Sequence, residues 1–305
     1  MRSLKSTLFL FVVLAGLVAY IYYADSDGTA TDDTEKAFAS VNAEDIEEVV
    51  IKSASGETSR VRKVQGQSGD AGENGGTWNL VEPVQAEADE NELTSITSSL
   101  ASLDIQRVVD ENATDLKQYG LEPARNEVGF RTKDGKELQR ILLGERTPTG
   151  GDMYARLPNE QRVFLVSSFL DATFNTVTFA LREKSVITVD RDKVDRVEVQ
   201  AGDRSVTLAK SGTEWRIEAP IMARADFAAV EGALERLSSA RMQGIVAPDA
   251  ADLAKYRLDP PVATFTATAG SARATLLFGE TENALIYAKD AARPVGFTVA
   301  PTLYT

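Results

Sequence analysis

The stretch DLKQYGLEP, residues 115–123, is nearly repeated as DLAKYRLDP, residues 252–260. Residues 78–123 align on residues 215–260 without a gap, so the similarity extends well upstream of the repeated stretch. Identical pairs in this alignment include Trp78 and Trp215, Pro83 and Pro220, Asp89 and Asp226, and Tyr119 and Tyr256. The period is too long for a solenoid repeat, and it therefore predicts two homologous domains in tandem.

The duplication extends on both sides of this alignment. Upstream, IEEVVIK (46–52) matches VDRVEVQ (194–200), and copy one contains an insertion, GQSGDAGENGG (66–76), with the composition of a loop. Downstream, Gly144 pairs with Gly279 and Tyr154 with Tyr287, as expected if the hairpin loops of copy two are shorter. We expect a first α+β repeat domain at residues 45–185 and a second at residues 186–305.

The hydrophobic pattern predicts antiparallel strands and one main helix in each copy, which is an α+β class. Asp89 and Asp226 stand where helix N-caps are expected, each after a strand that ends at a proline. The predicted helices carry apolar stripes made of Leu93, Ile96, Leu100 and Leu103 in copy one and of Phe227, Val230, Leu234 and Leu237 in copy two. Four short strands are predicted after the repeated stretch of each copy. They are EVGFRT, LQRILLG, DMYARL and RVFLVS in copy one and ATFTAT, ATLLFG, LIYAK and GFTVA in copy two.

The repeated stretch itself is predicted to end a short helix. Asn112 or Asp249 would cap the start of that helix, and Gly120 at position C′ would make a Schellman stop that brings Leu116 and Leu121 together. Copy two has Arg257 in place of this glycine, so it requires either a left-handed arginine or another geometry. A ligand-binding role for Tyr119 and Tyr256 is the alternative to this structural interpretation.

The N-terminal residues predict a membrane anchor at residues 1–24. Arg2 and Lys5 precede the uncharged run LFLFVVLAGLVAYIYYA, residues 8–24, which would span roughly 25 Å at ~1.5 Å per residue. With Leu4 and a snorkelling Lys5 the segment 4–24 reaches a membrane thickness, and the positive-inside rule directs the bulk of the chain outward. A cleaved signal peptide, cut after Ala30, is the alternative, whereas a lipoprotein is excluded because the chain lacks cysteine. Residues 25–44 resemble a flexible tether.

Composition excludes most catalytic chemistry. The 305 residues include neither cysteine nor histidine, so thiolate nucleophiles, imidazole bases, disulfides and the usual zinc ligands are absent. The formal net charge of −13 disfavours nucleic acid as a partner. We therefore expect no enzymatic activity, no catalytic or cofactor-binding residues and no metal.

Four features of the sequence are candidate sites, and none carries the full signature of one. GERTPTGG, residues 144–151, lacks the Lys-Ser/Thr of a phosphate loop and is predicted to be a hairpin turn. Asp190, Asp192 and Asp195 could suggest calcium but lack the glycine and the distal glutamate of an EF-hand loop. Trp78 and Trp215 could stack on sugars, although their strand positions favour core packing. The acidic residues identify no glycosidase pair.

These motifs together resemble a known family. The W-x-(L/I)-x-x-P strand end, the L-x-x-Y-x-L-x-P stop and the LG-E-x-T…YA hairpin are similar to those of the bacterial domain-of-unknown-function family number 4340, over roughly residues 46–300. LGERTPTGGDMYAR is the most specific stretch, and FGETENALIYAK in copy two departs from it. The resemblance implies a membrane-anchored envelope protein associated with ABC transporters of the gliding-motility type, and it implies no catalytic residue.

The expected function is that of a non-enzymatic protein of the bacterial inner membrane, with a single span, a cytoplasmic N-terminus and a periplasmic bulk. Its expected partner is a protein such as the permease of an ABC-type transport system. The alternative is an envelope module that binds or hydrolyses polysaccharide through carboxylates and tryptophans, and a third candidate is a scaffold that spaces the membrane from a partner.

Overall fold

A computed structural model describes residues 35–39, 41–64, 76–135, 137–249 and 252–303. The chain divides into two compact units, unit 1 ending at Leu181 and unit 2 beginning at Arg182, where the sequence placed the boundary between residues 185 and 186. Among the described residues, no helix has the length and apolar character needed to cross a membrane. The predicted anchor (1–24), residues 25–34 of the predicted tether and residues 66–75 of the predicted loop lie outside the described residues.

Unit 1 is an antiparallel sheet with one long helix and two short ones. Its strands are β1 (Ile46–Lys52), β2 (Thr58–Val64), β3 (Thr77–Glu82), β4 (Ala86–Glu87), β5 (Arg107–Asp110), β6 (Asn126–Thr132), β7 (Gln139–Arg146), β8 (Asp152–Arg156) and β9 (Val163–Ser167). Its helices are α1 (Glu90–Ala101), α2 (Leu170–Phe174) and α3 (Thr178–Leu181), with 3₁₀ turns at Ala43–Asp45 and Lys117–Tyr119.

Unit 2 repeats this order of strands with a single α-helix among its described residues. Its strands are β10 (Arg196–Ala201), β11 (Arg204–Ser211), β12 (Glu214–Ala219), β13 (Ala223–Arg224), β14 (Gly244–Ala247), β15 (Ala263–Ala269), β16 (Ala272–Glu282), β17 (Leu285–Asp290) and β18 (Gly296–Val299). Helix α4 spans Phe227–Ser239, and 3₁₀ turns lie at Arg191–Lys193, Leu253–Tyr256 and Pro301–Leu303.

The two sheets have the same topology. Unit 1 has the strand order β4-β3-β2-β1-β6-β7-β8-β9-β5, and unit 2 has β13-β12-β11-β10-β15-β16-β17-β18-β14. The pairing register is also the same, since Val49 faces Val61 and Phe130 in unit 1 while Val197 faces Leu208 and Ala267 in unit 2. The prediction of two similar antiparallel α+β domains is confirmed. Strands β4 and β5 and their counterparts β13 and β14 were not predicted.

One face of the unit 1 sheet forms a closed core with α1. Leu93, Ile96 and Leu100 are fully buried in a cluster that includes strand residues such as Val49 and Val128. The cap predicted at Asp89 is confirmed, because its carboxylate accepts hydrogen bonds from the backbone N–H groups of two first-turn residues. The side chain of Asp226 caps α4 in the same way. The helix–sheet arrangement thus follows from the same local signals in both copies.

Residues 35–39 also belong to unit 1, although the sequence assigned them to the tether. The Ala37 N–H donates to the carbonyl of Leu103 at 2.9 Å, and the Ile105 N–H donates to the carbonyl of Glu35 at 2.7 Å. The Phe38 ring packs edge-on against Phe130 with centroids 4.8 Å apart. This segment therefore contributes an aromatic side chain to the core.

The Schellman stop predicted for DLKQYGLEP is present. Gly120 has φ 65°, its N–H donates to Lys117 O at 3.0 Å, and the Leu121 N–H donates to Leu116 O at 3.0 Å. The predicted cap was wrong, because the helix is one 3₁₀ turn and the carboxylate that accepts from its first N–H is that of Asp115, not the side chain of Asn112.

Copy two makes the same stop with Arg257. This residue adopts the left-handed conformation, with φ 55°, and the Leu258 N–H donates to Leu253 O at 3.0 Å. Of the two alternatives considered for this position, the structure therefore has the left-handed arginine, at an energetic cost that glycine does not incur. The turn itself begins after Asp252 rather than at Asp249.

The stop is held against a bulge in the following hairpin. Gly144 and Gly279 lie where the pairing registers of β7–β8 and β16–β17 shift, and a Cβ atom built on Gly144 would lie 2.1 Å from the carbonyl oxygen of Tyr119. A Cβ on Gly279 would lie 2.0 Å from the carbonyl oxygen of Tyr256. Both glycines are required because no side chain fits against a backbone carbonyl at this distance.

The Gly144→Ala substitution is expected to destabilise unit 1 by about 1–3 kcal/mol, since the added methyl group must displace the Tyr119 carbonyl. Gly151→Ala is the matched control, because a Cβ at Gly151 has no neighbour within 4 Å. Urea denaturation measures the loss of stability, and amide hydrogen exchange of the intact protein assigns it to unit 1. Equal midpoints for the two variants would contradict this account of the junction.

Candidate functional site

The two units differ in what covers the helix-bearing face of the sheet. In unit 1, α2 packs against α1 and β6, and α3 packs against α1. Phe174 in α2 and Leu181 in α3 are fully buried in the same core cluster as the residues of α1. Leu93 and Ile96 of α1 are consequently excluded from solvent.

Polar contacts fix α2 and α3 in place. The Thr178 hydroxyl hydrogen-bonds to the Ser59 hydroxyl at 2.6 Å, and the Asp89 N–H donates to the carbonyl of Leu181 at 2.8 Å. The buried carboxylate of Asp171 pairs with Arg146 at 2.9 Å and with Arg125 at 3.3 Å. The segment is therefore attached at three separate points of unit 1.

Unit 2 has an open apolar cavity in the corresponding place. A cavity of about 520 Å³ lies between α4 and the strands β10, β11, β15 and β16. Val230, Ala233 and Leu234 of α4 line one side, and Val199 and Phe265 line the other. We define the unit 2 groove as this cavity together with Val206, which pairs with Val199 across β10 and β11.

Side-chain exposure shows how far the two faces differ. Val199 is 38% exposed, whereas Ile51, which occupies the same register position in unit 1, is 1% exposed. Val206 is 37% exposed, whereas its counterpart Ser59 is 1% exposed. The helix stripe predicted for copy two is also only partly buried, because Phe227 is exposed and only Leu234 and Leu237 are buried.

Smaller side chains contribute to the cavity. Val230 and Ala233 align with Leu93 and Ile96 of copy one, and Ala263 has the register position of Asn126. The described part of unit 2 ends at Leu303, which lines the cavity from the 3₁₀ turn that follows β18. No described segment of unit 2 takes the place of α2 and α3.

One end of the unit 2 groove is basic. Arg236 lines the cavity, and a second cavity of about 240 Å³ shares Arg236 and Leu303 with the first and is also lined by Arg241. The groove can therefore bind an apolar surface that carries an acidic group at one end.

The tryptophans considered for sugar stacking are buried. Trp78 is 4% exposed and Trp215 is 1% exposed, so neither ring offers a face to a ligand. Trp215 Nε1 donates to the Glu231 carboxylate at 2.8 Å. This bond, helped by Lys210, lowers the pKa of Glu231. Lys63 lies over the Trp78 ring and Lys210 over the Trp215 ring, so the two copies share this contact as well.

The tyrosines considered for ligand binding pack on each other within each unit. The rings of Tyr119 and Tyr154 have centroids 5.0 Å apart, and those of Tyr256 and Tyr287 are 4.8 Å apart. Burial together with the Asp110 carboxylate raises the pKa of Tyr119. These rings form a structural contact beside the Gly144 and Gly279 junctions.

The remaining candidates have structural roles in the described chain. Asp190 accepts from the Asp192 N–H and pairs with Lys193 at 2.8 Å, while the Asp195 carboxylate accepts from the Gly270 N–H. Residues 144–146 continue strand β7, and the turn comprises residues 147–151. Over the described residues, no group of three or more potential metal ligands is arranged to hold an ion.

A cluster of ionic contacts covers the outer face of the unit 1 sheet. The carboxylate of Glu48 is 4% exposed and contacts the guanidinium groups of Arg60, Arg62 and Arg131. Burial would raise the pKa of Glu48, but the Arg60 hydrogen bond and the charges of Arg131 and Arg62 outweigh burial and lower it. In unit 2 the residue aligned with Glu48 is Arg196, which pairs with the carboxylates of Glu198 and Glu218.

The profile of a family described as "Domain of unknown function (DUF4340)" matches residues 78–219 and again residues 215–303. The chain belongs to this family. Two matches in tandem agree with the duplication, and the resemblance drawn from the sequence motifs is confirmed. Neither the curated proteins nor the solved structures that were compared contain a match to the chain.

The DUF4340 matches begin at or near the two tryptophans and leave strands β1 and β2 of unit 1 outside. The first match runs through β12 of unit 2, so the family profile is offset from the structural units. Both tyrosine–glycine junctions and the whole unit 2 groove lie within the matched residues. The cavity was not predicted from the sequence, although the replacement of Leu93 and Ile96 by Val230 and Ala233 was a readable signal.

The Glu48→Gln substitution in this DUF4340 protein is expected to cost about 1–3 kcal/mol at neutral pH, because three guanidinium groups lose their shared carboxylate. Because the pKa of Glu48 is lowered in the folded protein, its charge stabilises the fold at pH values above the unfolded pKa of about 4.3. That contribution is lost as the pH falls through the folded pKa. The deficit should therefore shrink on acidification. Urea midpoints at about pH 7 and about pH 3 measure it.

Glu127→Gln is the control for this variant, since Glu127 pairs with Arg140 alone at an exposed site. Its effect is expected to stay below about 1 kcal/mol at both pH values. A deficit for Glu48→Gln that is the same at neutral and acidic pH would mean that the carboxylate charge does not stabilise the fold.

Proposed function

We propose that this protein is a non-enzymatic, membrane-anchored envelope protein that binds another protein as an accessory component of an ABC-type transport system of the gliding-motility kind. The observation that carries the proposal is the unit 2 groove. Exposed apolar surface beside a cavity of this size is typical of a binding site. The family resemblance supports a transporter permease as the partner.

The sequence supports the anchored location. Residues 4–24 have the length and apolar character of a membrane span, with Arg2 before them, Lys5 at their start and four aspartates within the ten residues that follow. In this proposal the N-terminus is cytoplasmic, the span crosses the bacterial inner membrane once, and both units are periplasmic. A membrane-bound partner would then lie within reach of the tether.

The chemistry of the described side chains supports binding rather than catalysis. The chain has no histidine or cysteine, and the acidic residues considered for a metal have protein partners. Buried tryptophans do not favour the polysaccharide alternative, because stacking on sugars requires an exposed ring. The apolar groove needs no reactive group in order to recognise a surface.

Photo-crosslinking in native cells tests the proposed partner. A benzoylphenylalanine placed at Val199 in the groove is expected to yield a discrete product that mass spectrometry identifies as an ABC permease. Val109 of unit 1 is the matched control position, because it is 40% exposed against 38% for Val199 and lies outside the groove. Equal labelling from both positions, or recovery of the protein alone from Val199, would count against the proposal.

The Trp215→Ala substitution separates the proposal from the polysaccharide alternative. Loss of a fully buried indole is expected to destabilise unit 2 by about 3–5 kcal/mol, measured by urea denaturation. Trp215→Phe is the milder comparison, since it keeps an aromatic ring. A Trp215→Ala protein that remains fully stable and loses binding to envelope glycans would favour the alternative.

A further inference from the structure

Extending the proposed function, on which it rests, we infer that the unit 2 groove receives a short helical segment of the partner protein, in the place that α2 and α3 occupy in unit 1. The segment presents two large apolar side chains to the cavity and a carboxylate to Arg236. The inference thus specifies the chemistry of the surface that the groove recognises.

Unit 1 provides an internal template for the covered face. Helices α2 and α3 cover α1 and β6, and the equivalent elements of unit 2, α4 and β15, line the cavity. Leu170, at the start of α2, corresponds to Leu303. Each lies five residues after an equivalent strand residue, Leu165 of β9 or Thr298 of β18, which pair with β5 and β14 respectively. The groove therefore begins where the covering segment of unit 1 begins.

The template also indicates which side chains fill such a face. Phe174 and Leu181 are seven residues apart and fully buried, so two apolar anchors close the unit 1 core. In unit 2 the cavity between α4 and the sheet has a volume that two side chains of this size can enter. An aromatic and an aliphatic residue on a short helical segment would fill it.

Two replacements between the copies put apolar residues at exposed positions of unit 2. Ser59 is buried beneath the covering segment, yet its exposed counterpart is the apolar residue Val206. Glu90 begins α1, and its counterpart Phe227 begins α4 at 52% exposure. Solvent favours polar residues at exposed positions, so apolar replacements at both indicate a surface that another molecule covers.

The charge at one end of the groove favours an acidic group on the occupant. The protein carries a formal net charge of −13, yet the end of the groove has Arg236 and Arg241. In unit 1 the covering segment itself carries a carboxylate, Asp171, which pairs with two arginines. A carboxylate beside the apolar anchors of the partner would pair with Arg236 in a comparable way.

A small amphiphile is the other chemistry that an apolar cavity with an arginine accepts. Such a ligand would fill the cavity but would not replace the backbone and side-chain contacts by which α3 covers Ser59 in unit 1. It would also leave Val206 exposed. A helical segment, in contrast, is long enough to cover both the cavity and Val206.

A synthetic peptide with the sequence of residues 168–183 provides the probe, since it contains the unit 1 covering segment. The full-length protein is reconstituted in lipid nanodiscs, so that no detergent competes for the groove. Fluorescence anisotropy of the labelled peptide is expected to show saturable binding, and hydrogen exchange is expected to show added protection in α4, β10 and β11. A peptide with Phe174→Ala and Leu181→Ala should bind at least about tenfold more weakly.

Two protein variants locate the binding. Ala233→Phe fills the cavity and is expected to abolish peptide binding while the fold is retained. Arg236→Glu opposes the Asp171 carboxylate of the peptide and is expected to weaken binding several-fold. Arg204→Glu is the matched control, because it makes the same charge change at an exposed residue of β11 outside the cavity.

Absence of saturable binding, or binding that Ala233→Phe leaves unchanged, would overturn the inference. Saturable binding of dodecanoate that Ala233→Phe abolishes and that the peptide does not displace would assign the groove to an amphiphile and overturn the inference as well. If the peptide fails while Val199 still crosslinks to a permease, the helical occupant is wrong and the proposed function stands. If the peptide binds the groove and no permease is recovered, the inference holds and the proposed function fails.

Discussion

A nine-stranded sheet has more apolar face than one helix can cover, and this constraint governs both units. Nine strands about 4.8 Å apart extend across nearly 40 Å, whereas a helix of 12 residues is about 18 Å long and about 10 Å wide. Unit 1 meets the constraint with α1, the short helices α2 and α3, and Phe38 from residues 35–39. Unit 2 has the same sheet and one helix among its described residues, so part of its face stays open.

The stretch that occurs twice in the sequence has a mechanical explanation. It ends a 3₁₀ turn in a left-handed residue and places a tyrosine carbonyl against a glycine in the bulge of the next hairpin. The same tyrosine also packs its ring at a tilt against a second tyrosine of the hairpin, so backbone and side chains contribute to one junction in each unit. Copy two keeps the junction even with Arg257 in a conformation that favours glycine, which shows how strongly the geometry is required.

The sequence predicted the elements whose signals are local. Alternating strands, the caps at Asp89 and Asp226, and the Schellman stop at Gly120 all depend on neighbouring residues, and each is present. Short edge strands such as β4 and β5 were missed because two to four residues are too few to show an alternating hydrophobic pattern. Helices α2 and α3 were missed because they are too short to show an apolar stripe. The cavity depends on volume differences between aligned residues and on a covering segment, neither of which a single periodic pattern reveals.

Helix α4 connects these observations. Its stripe of Phe227, Val230, Leu234 and Leu237 has the spacing of a helix that packs along its full length, yet only Leu234 and Leu237 are buried. In α1 the corresponding stripe is buried from Leu93 onward, because α2 and α3 complete the face. Helix α4 thus keeps apolar residues at helical spacing even where the sheet of unit 2 does not bury them. These residues are available for a second contact. Unit 1 makes that contact within itself, whereas the described residues of unit 2 leave the same surface open.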